Sequence, residues 1–300
     1  MGGTRKRYKG LVGIDFSKMS TEELEQAFSK ILKNKIYGLA FSPYKDFQKP
    51  GSILSEEQIY ERMEIIQPYV EAVRTFSCTD GNQYIPRIAH EKGIDTLVGA
   101  WLGKDEEKNE KEIEGLIKVA QDGHADMLGV GNEVLLRGDL SEKKTLEYME
   151  RVKKAVPDIP VGYVDAYYIF EQFPRVTEVC DIIFANCYPF WEGYSIEHSF
   201  LYMKEMYHLA KRVGKGKEVI ISETGWPNLG TPDRSAVPSY ENALKYFINA
   251  YTWAGEEDVD IFYFSSFDEE WKIDAEGDVG AFWGLWDKDG NLKYGSLKKN

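Results

Sequence analysis

Short runs of branched and aromatic residues recur along the chain, each followed by a segment whose apolar positions fall at helical spacing. The runs cover 36–41, 72–76, 96–101, 127–131, 161–164, 182–185, 219–221 and 261–264. In the seventh, Val219, Ile220 and Ile221 stand side by side, which predicts a strand buried on both faces. Between the runs, the helix signals are explicit. Ser20 and Glu23 form a capping box ahead of Leu24, Ala27, Phe28, Ile31 and Leu32. Ser55 with Gln58 opens a helix through Ile59, Met63, Ile66 and Val70, kinked or ended by Pro68. Gly93 closes another through Ile85, Ile88 and Ala89. Asp105, Ser141, Ser195 and Ser239 stand at the head of four more. Residues 11–14 read as a further short strand, and 282–291 as a hairpin or turn that closes the chain.

Eight strands alternate with helices at about one unit per 30 residues, the period of a (β/α)8 barrel. A doubly wound open sheet has the same alternation. Two features favour the barrel. No G-x-G-x-x-G follows the first strand, and polar or aromatic clusters recur where nearly every strand ends. In a barrel those ends share one mouth. The expectation is therefore an α/β chain folded as a (β/α)8 TIM barrel, a single catalytic domain over 1–300, with a polar N-terminal tail and lead-in helix over about 1–35.

Composition supports a large core, with 43% hydrophobic and 14% aromatic residues. A net charge of −13 argues against nucleic acid and anionic membranes as partners. No apolar run is long enough to span a membrane. The basic start, Met-Gly-Gly-Thr-Arg-Lys-Arg-Tyr, has no apolar stretch behind it and is not a signal peptide. The expected location is the cytoplasm, or a secreted or periplasmic one with a targeting segment removed. Cys78, Cys180 and Cys187 lack metal or disulfide spacing and are expected as free thiols. His90, His124, His198 and His208 read as surface residues, and neither metal nor cofactor is implied. A monomer is expected.

The candidate chemistry begins at Glu223, placed where the run 219–221 opens into Thr-Gly-Trp-Pro. A carboxylate at the end of a buried strand needs partners or does chemistry, and Trp226 beside it offers a ring face to a sugar. A second acid, Glu133, follows Asn132 at the end of the fourth strand. In a closed barrel the ends of strands four and seven face each other across one mouth. Glycoside hydrolysis needs such a pair, one carboxyl protonated to donate to the leaving oxygen and one ionised.

At these residues the chain resembles glycoside hydrolase family 17, the β-1,3-glucanases and glucan-active transglycosylases. The resemblance covers most of the chain and rests on Tyr-Gly-Leu-Ala-Phe-Ser-Pro-Tyr (37–44), Val-Arg-Thr-Phe-Ser (73–77), Gly-Val-Gly-Asn-Glu-Val (129–134), Ser-Glu-Thr-Gly-Trp-Pro (222–227), Phe-Asp-Glu-Glu-Trp-Lys (267–272) and Trp-Gly-Leu (283–285). It implies a (β/α)8 barrel acting on β-1,3-glucan of the laminarin type. Glu133 would be the general acid/base and Glu223 the nucleophile, with retention of configuration and carboxyls roughly 5–5.5 Å apart. Retention implies a covalent glucosyl-enzyme, released by water or by another sugar, so a glucanosyltransferase that elongates or branches glucan is the alternative. The neighbouring anion should raise the Glu133 pKa.

The resemblance further implies that Asn132 meets the 2-hydroxyl, and places Glu269 and Lys272 after the last strand, where their ion pair is equally well structural. Tyr188 is expected to hydrogen-bond the nucleophile, Trp191 and Glu192 to form an acceptor-side platform, and Trp226 and Phe41 to offer ring contacts. Relatives often carry Glu three positions before the Trp-Gly pair; here that position is Gly280, with Glu276 and Asp278 nearby. A carbohydrate-binding barrel without chemistry would lack one of the two acids, and both are present. A metal-dependent barrel hydrolase would need clustered His and Asp at strand ends, which the sequence does not offer.

Overall fold

Eight parallel strands close into a barrel in which each strand pairs with its sequence neighbours and β1 with β8. The computed structural model describes residues 13–295. The strands are β1 (Ile36–Ala40), β2 (Val70–Arg74), β3 (Asp95–Ala100), β4 (Met127–Asn132), β5 (Val161–Ala166), β6 (Ile182–Asn186), β7 (Glu218–Thr224) and β8 (Ile261–Tyr263). Helices α1 (Thr21–Lys33), α2 (Glu56–Ile66), α3 (Ile85–Glu91), α4 (Glu106–Gln121), α5 (Glu142–Ala155), α6 (Ile169–Gln172), α7 (Pro174–Val179), α8 (Ile196–Val213) and α9 (Tyr240–Glu257) surround them. The (β/α)8 architecture is the one expected.

The helix starts follow the capping chemistry. Ser20 and Glu23 make both bonds of the capping box, and Ser55, Asp105, Ser141 and Ser239 each accept from a backbone N–H in the first turn. Ser195 heads α8 without such a bond. Two assignments change. Val70 belongs to β2, because Pro68 lacks an N–H and diverts the chain into a 3-10 turn over Gln67–Tyr69 after α2 has ended. Of the candidate strand at 11–14, residues 11 and 12 lie outside the described residues, and Gly13 and Ile14 form no strand.

Inside the barrel, Ala72, Leu97, Met127, Val164, Ile182, Phe184, Ile220 and Phe262 pack with Tyr37. Two glycines make this filling fit. A Cβ on Gly38 would stand 2.4 Å from the Phe262 ring, and one on Gly162 2.5 Å from the Phe184 ring. Both phenyl rings therefore cross the interior over bare backbone. Outside, a larger apolar cluster joins strands to helices. The three cysteines are buried in it without disulfides.

Register breaks occur where the barrel reaches its mouth: between Gly129 and Asn132 on β4, at Ala185/Asn186 against β7, and between Ile221 and Thr224 on β7. Such irregularities turn side chains out of strict alternation. Here they lie beside Glu133 and Glu223.

Candidate active site

Period-two alternation inside the barrel carries polar groups into its top layer. On β2, Ala72 is followed on the same face by Arg74; on β6, Ile182 and Phe184 are followed by Asn186. Arg74 and Asn186 are each 2% exposed, and both converge on Glu223. Arg74 Nη1 donates to Glu223 Oε1 at 2.5 Å, and Tyr188 Oη donates to Oε2 at 2.7 Å. Asn186 Nδ2 donates to Glu133 Oε1 at 2.8 Å and also reaches Glu223 Oε1 at 3.3 Å. One amide nitrogen thus bridges the two acids, whose bonded oxygens lie within about 6 Å of each other.

Glu133 has φ +52°, a left-handed conformation unusual for a residue with a side chain. Local hydrogen bonds hold it. Its N–H donates to Val164 O at 2.8 Å, and its carbonyl accepts from Arg137 N at 2.9 Å. Two residues on, Leu135 N donates to Tyr163 Oη at 2.8 Å, and Tyr163 Oη donates to Asp165 Oδ2 at 2.5 Å. Arg137 also donates to the backbone carbonyl of Asn132 and, at 2.9 Å, to that of Leu102. Burial pushes the Glu133 carboxyl up to about 7; the Glu223 charge adds to this and the Asn186 bond opposes it.

Asn132 accepts from Arg74 Nη2 through Oδ1 at 2.5 Å. That bond fixes the amide and directs its N–H2 away from Arg74. Trp191 is 37% exposed on the loop after β6, tilted against Trp283 at 5.4 Å. Arg234 anchors its carbonyl at 2.6 Å. Glu192 is partly exposed and faces Tyr167, whose hydroxyl pKa is raised by burial first and Glu192 second.

Glu269 and Lys272 form a buried ion pair. Glu269 also accepts from Ser42 Oγ at 2.5 Å and Trp271 Nε1 at 2.9 Å, while the Lys272 ammonium lies 4.0 Å from the centre of the Phe264 ring. Position 280 takes no side chain in this loop, since a Cβ would meet the Lys272 carbonyl at 2.7 Å. The Glu276 carboxyl approaches the same region, raised to about 7 by burial, opposed by Lys272 and assisted by Glu223 and Glu269. Its Oε2 is buried without a hydrogen-bond partner among the described residues. Asp278 instead holds Thr231, at 3.0 and 2.8 Å.

Two expected ring contacts are corrected. Trp226 and Phe41 are each 1% exposed. Trp226 packs on Phe190 and Tyr246 and donates from Nε1 to Val237 O at 3.0 Å; Phe41 packs edge-on against Phe267. Gly225, ahead of that indole, sits against Phe264 O, where a Cβ would come within 2.2 Å. Arg74 and Asn186 were not singled out from sequence. The period-two continuation of β2 and β6 was the available signal. A hollow of about 590 Å³ opens beside Lys215 and Lys217, at the end of β7 opposite Glu223.

The family of the BtgE/BtgC glycoside hydrolase domain matches residues 38–284. The chain belongs to this family. Its sequence is 26% identical over 270 residues to the glucan 1,3-beta-glucosidase of Saccharomyces cerevisiae, covering 81% of this chain and 86% of that protein. An Arthroderma benhamiae glucan 1,3-beta-glucosidase is 27% identical over 269 residues, covering 82% and 87%. The glycoside hydrolase family 17 beta-1,3-glucanosyltransferase from Rhizomucor miehei superposes with a TM-score of 0.78 at 29% identity, covering 87% of this chain and 96% of that one. An active-site mutant of that transferase, in complex with laminaritriose, gives 0.78 at 27% identity, covering 89% and 100%. The glycoside hydrolase family 17 motifs and the barrel thus agree with the relatives. Among the described residues, no helix is long and apolar enough to cross a membrane.

Proposed function

We propose that this family member cleaves β-1,3-glucan by double displacement, with Glu133 as general acid/base and Glu223 as nucleophile. The observation that supports the reading is the Asn186 amide shared between the two carboxyls, which keeps the two bonded oxygens within about 6 Å of each other, nearer the separation of a retaining pair than the wider gap of an inverting one. In the first step the Glu133 proton passes to the glycosidic oxygen as a Glu223 oxygen bonds to the anomeric carbon. The bond to the leaving sugar breaks, and that sugar departs carrying the proton. In the second step, Glu133 takes a proton from an incoming hydroxyl, whose oxygen displaces Glu223.

Arg74 and Tyr188 supply the donors that keep Glu223 aimed and charge-balanced. Asn132, its Oδ1 already occupied by Arg74, offers its N–H2 to the hydroxyl next to the anomeric carbon. Trp191 and Glu192 receive the acceptor sugar, and Glu269 with Lys272 supports the donor side. The similarity to glucan 1,3-beta-glucosidases and to a beta-1,3-glucanosyltransferase supports β-1,3-glucan as the substrate. When the incoming hydroxyl belongs to a sugar, the product is longer than the donor, and the partly exposed Trp191 favours this transfer as a second outcome of the same site. Incubation with laminari-oligosaccharides and sizing of the products tests the reading. Shorter products signify hydrolysis and longer ones transfer; folded protein that yields neither would overturn it.

A further inference from the structure

Three successive residues of β5 hold the turn that carries Glu133. Val164 O accepts from Glu133 N at 2.8 Å, Tyr163 Oη accepts from Leu135 N at 2.8 Å, and Asp165 Oδ2 accepts from Leu136 N at 3.4 Å. The turn closes on itself between Arg137 N and Glu133 O at 2.9 Å, which leaves the N–H groups of Leu135 and Leu136 without partners inside it. A left-handed backbone such as that of Glu133, at φ +52°, persists only where the surroundings over-determine it. Here β5 supplies those surroundings.

Asp165 is the costly member of the three. Val164 lies in the barrel interior and Tyr163 in the outer cluster, and Asp165, two residues on, shares the Tyr163 face. Tyr163 and Asp165 are both 0% exposed. Among the described residues no cation pairs with Asp165, and Arg137, whose charge acts on it, is committed to Asp139 at 2.7 Å. A buried carboxyl without a counter-ion is unfavourable, and the proposed catalytic steps do not use this one. Its hydrogen bonds show what it supplies. Oδ1 accepts from Ala166 N at 2.7 Å, and Oδ2 accepts from Tyr163 Oη at 2.5 Å as well as from Leu136 N. An ionised carboxyl only accepts, so the Tyr163 hydroxyl must donate to it, and the lone pairs of that hydroxyl are left for Leu135 N. An amide in the same place has one oxygen for three donors.

We infer that Asp165 is a positioning residue for the reaction, acting through Tyr163 and the backbone of Leu135 and Leu136 to aim the Glu133 carboxyl at the glycosidic oxygen. The inference rests on the function proposed for the site and adds to it a residue that never meets the sugar.

The test exploits the leaving group. It compares kcat/KM on a laminari-oligosaccharide and on a dinitrophenyl laminari-oligosaccharide glycoside, whose leaving group departs without a proton. Both are measured at a pH where Glu133 is protonated, for the wild type, Glu133→Ala, Asp165→Asn and Tyr163→Phe. Glu133→Ala sets the scale, with a large fall on the first substrate and a small one on the second. Asp165→Asn and Tyr163→Phe should follow that pattern and lose roughly 10²-fold on the oligosaccharide, the effect of a misaimed catalytic group. If Asp165→Asn does not fold, Tyr163→Phe, which loses only a hydroxyl, decides alone. Equal falls on both substrates, or no fall on either, would overturn the positioning role and leave the catalytic reading standing. A Glu133→Ala variant that falls equally on both substrates, or a folded wild type inert on both, would overturn the two readings together.

Discussion

Arg74 and Glu223 form an ion pair at 2.5 Å beneath the barrel mouth, their side chains only 2% and 8% exposed. The same guanidinium holds Asn132 through its other nitrogen, so one buried cation sets the position of two site residues. Removing it strands a carboxylate away from water. Arg74→Met should lower stability by roughly 3–5 kcal/mol and reduce kcat severely. Chemical denaturation checks the first effect. The double variant Arg74→Met/Glu223→Gln should recover much of the stability without recovering turnover, because it removes the orphaned charge and the nucleophile together. A double variant no more stable than Arg74→Met would place the loss in packing instead.

Glu223→Ala should abolish turnover while leaving affinity for laminari-oligosaccharides largely intact, since the ring and amide contacts remain. Calorimetric titration alongside an activity assay separates the two. Retained turnover would remove Glu223 from the nucleophile's role.

The Glu133 carboxyl, pushed up to about 7 by burial and by Glu223, is protonated below that pH and loses its proton above it. As general acid it must be protonated, so kcat/KM should fall as pH rises through about 7. The Asn186 bond favours the charged form, so Asn186→Ala should move this alkaline limb to higher pH while lowering overall activity. A limb that stays in place would disconnect Glu133 from the titration.

Stability should depend on pH in the same direction. Glu133 and Glu276 are raised to about 7, Asp165 and Asp260 to about 6, in each case chiefly by burial. Between their unfolded pKa values, near 4, and these folded values, the native state holds more protons than the unfolded chain. Stability is therefore full at the low end of that window and is lost as pH rises through 6 to 7. Thermal unfolding should give a higher Tm at about pH 5 than at pH 8, and Glu276→Gln should flatten the difference. The opposite slope would contradict these environments.

The barrel was legible because its strands are apolar runs separated by helices whose caps are written in single residues: Ser20, Ser55, Asp105, Ser141 and Ser239 all act where the sequence placed them. The two acids were legible because each follows such a run. Arg74 was harder to see, since it sits inside a run that reads as core, and Asn186 because it follows one without carrying a charge; only the closed barrel brings four separate strands onto one amide and one guanidinium. Trp226 and Phe41 misled for the converse reason. Their neighbours in sequence are site residues, but Trp226 packs on Phe190 and Tyr246 and Phe41 on Phe267, so both rings are buried in the core. Gly280 had marked a missing acid; folding brings Glu276 close by from another position on the loop.

The most direct measurement is the anomeric configuration of the product at the moment of cleavage, followed by proton NMR on a laminari-oligosaccharide before mutarotation sets in. Two carboxyls bridged by the Asn186 amide should deliver the β-anomer first. An initial α-anomer would mean direct attack by water, and would contradict a covalent glucosyl–Glu223 intermediate.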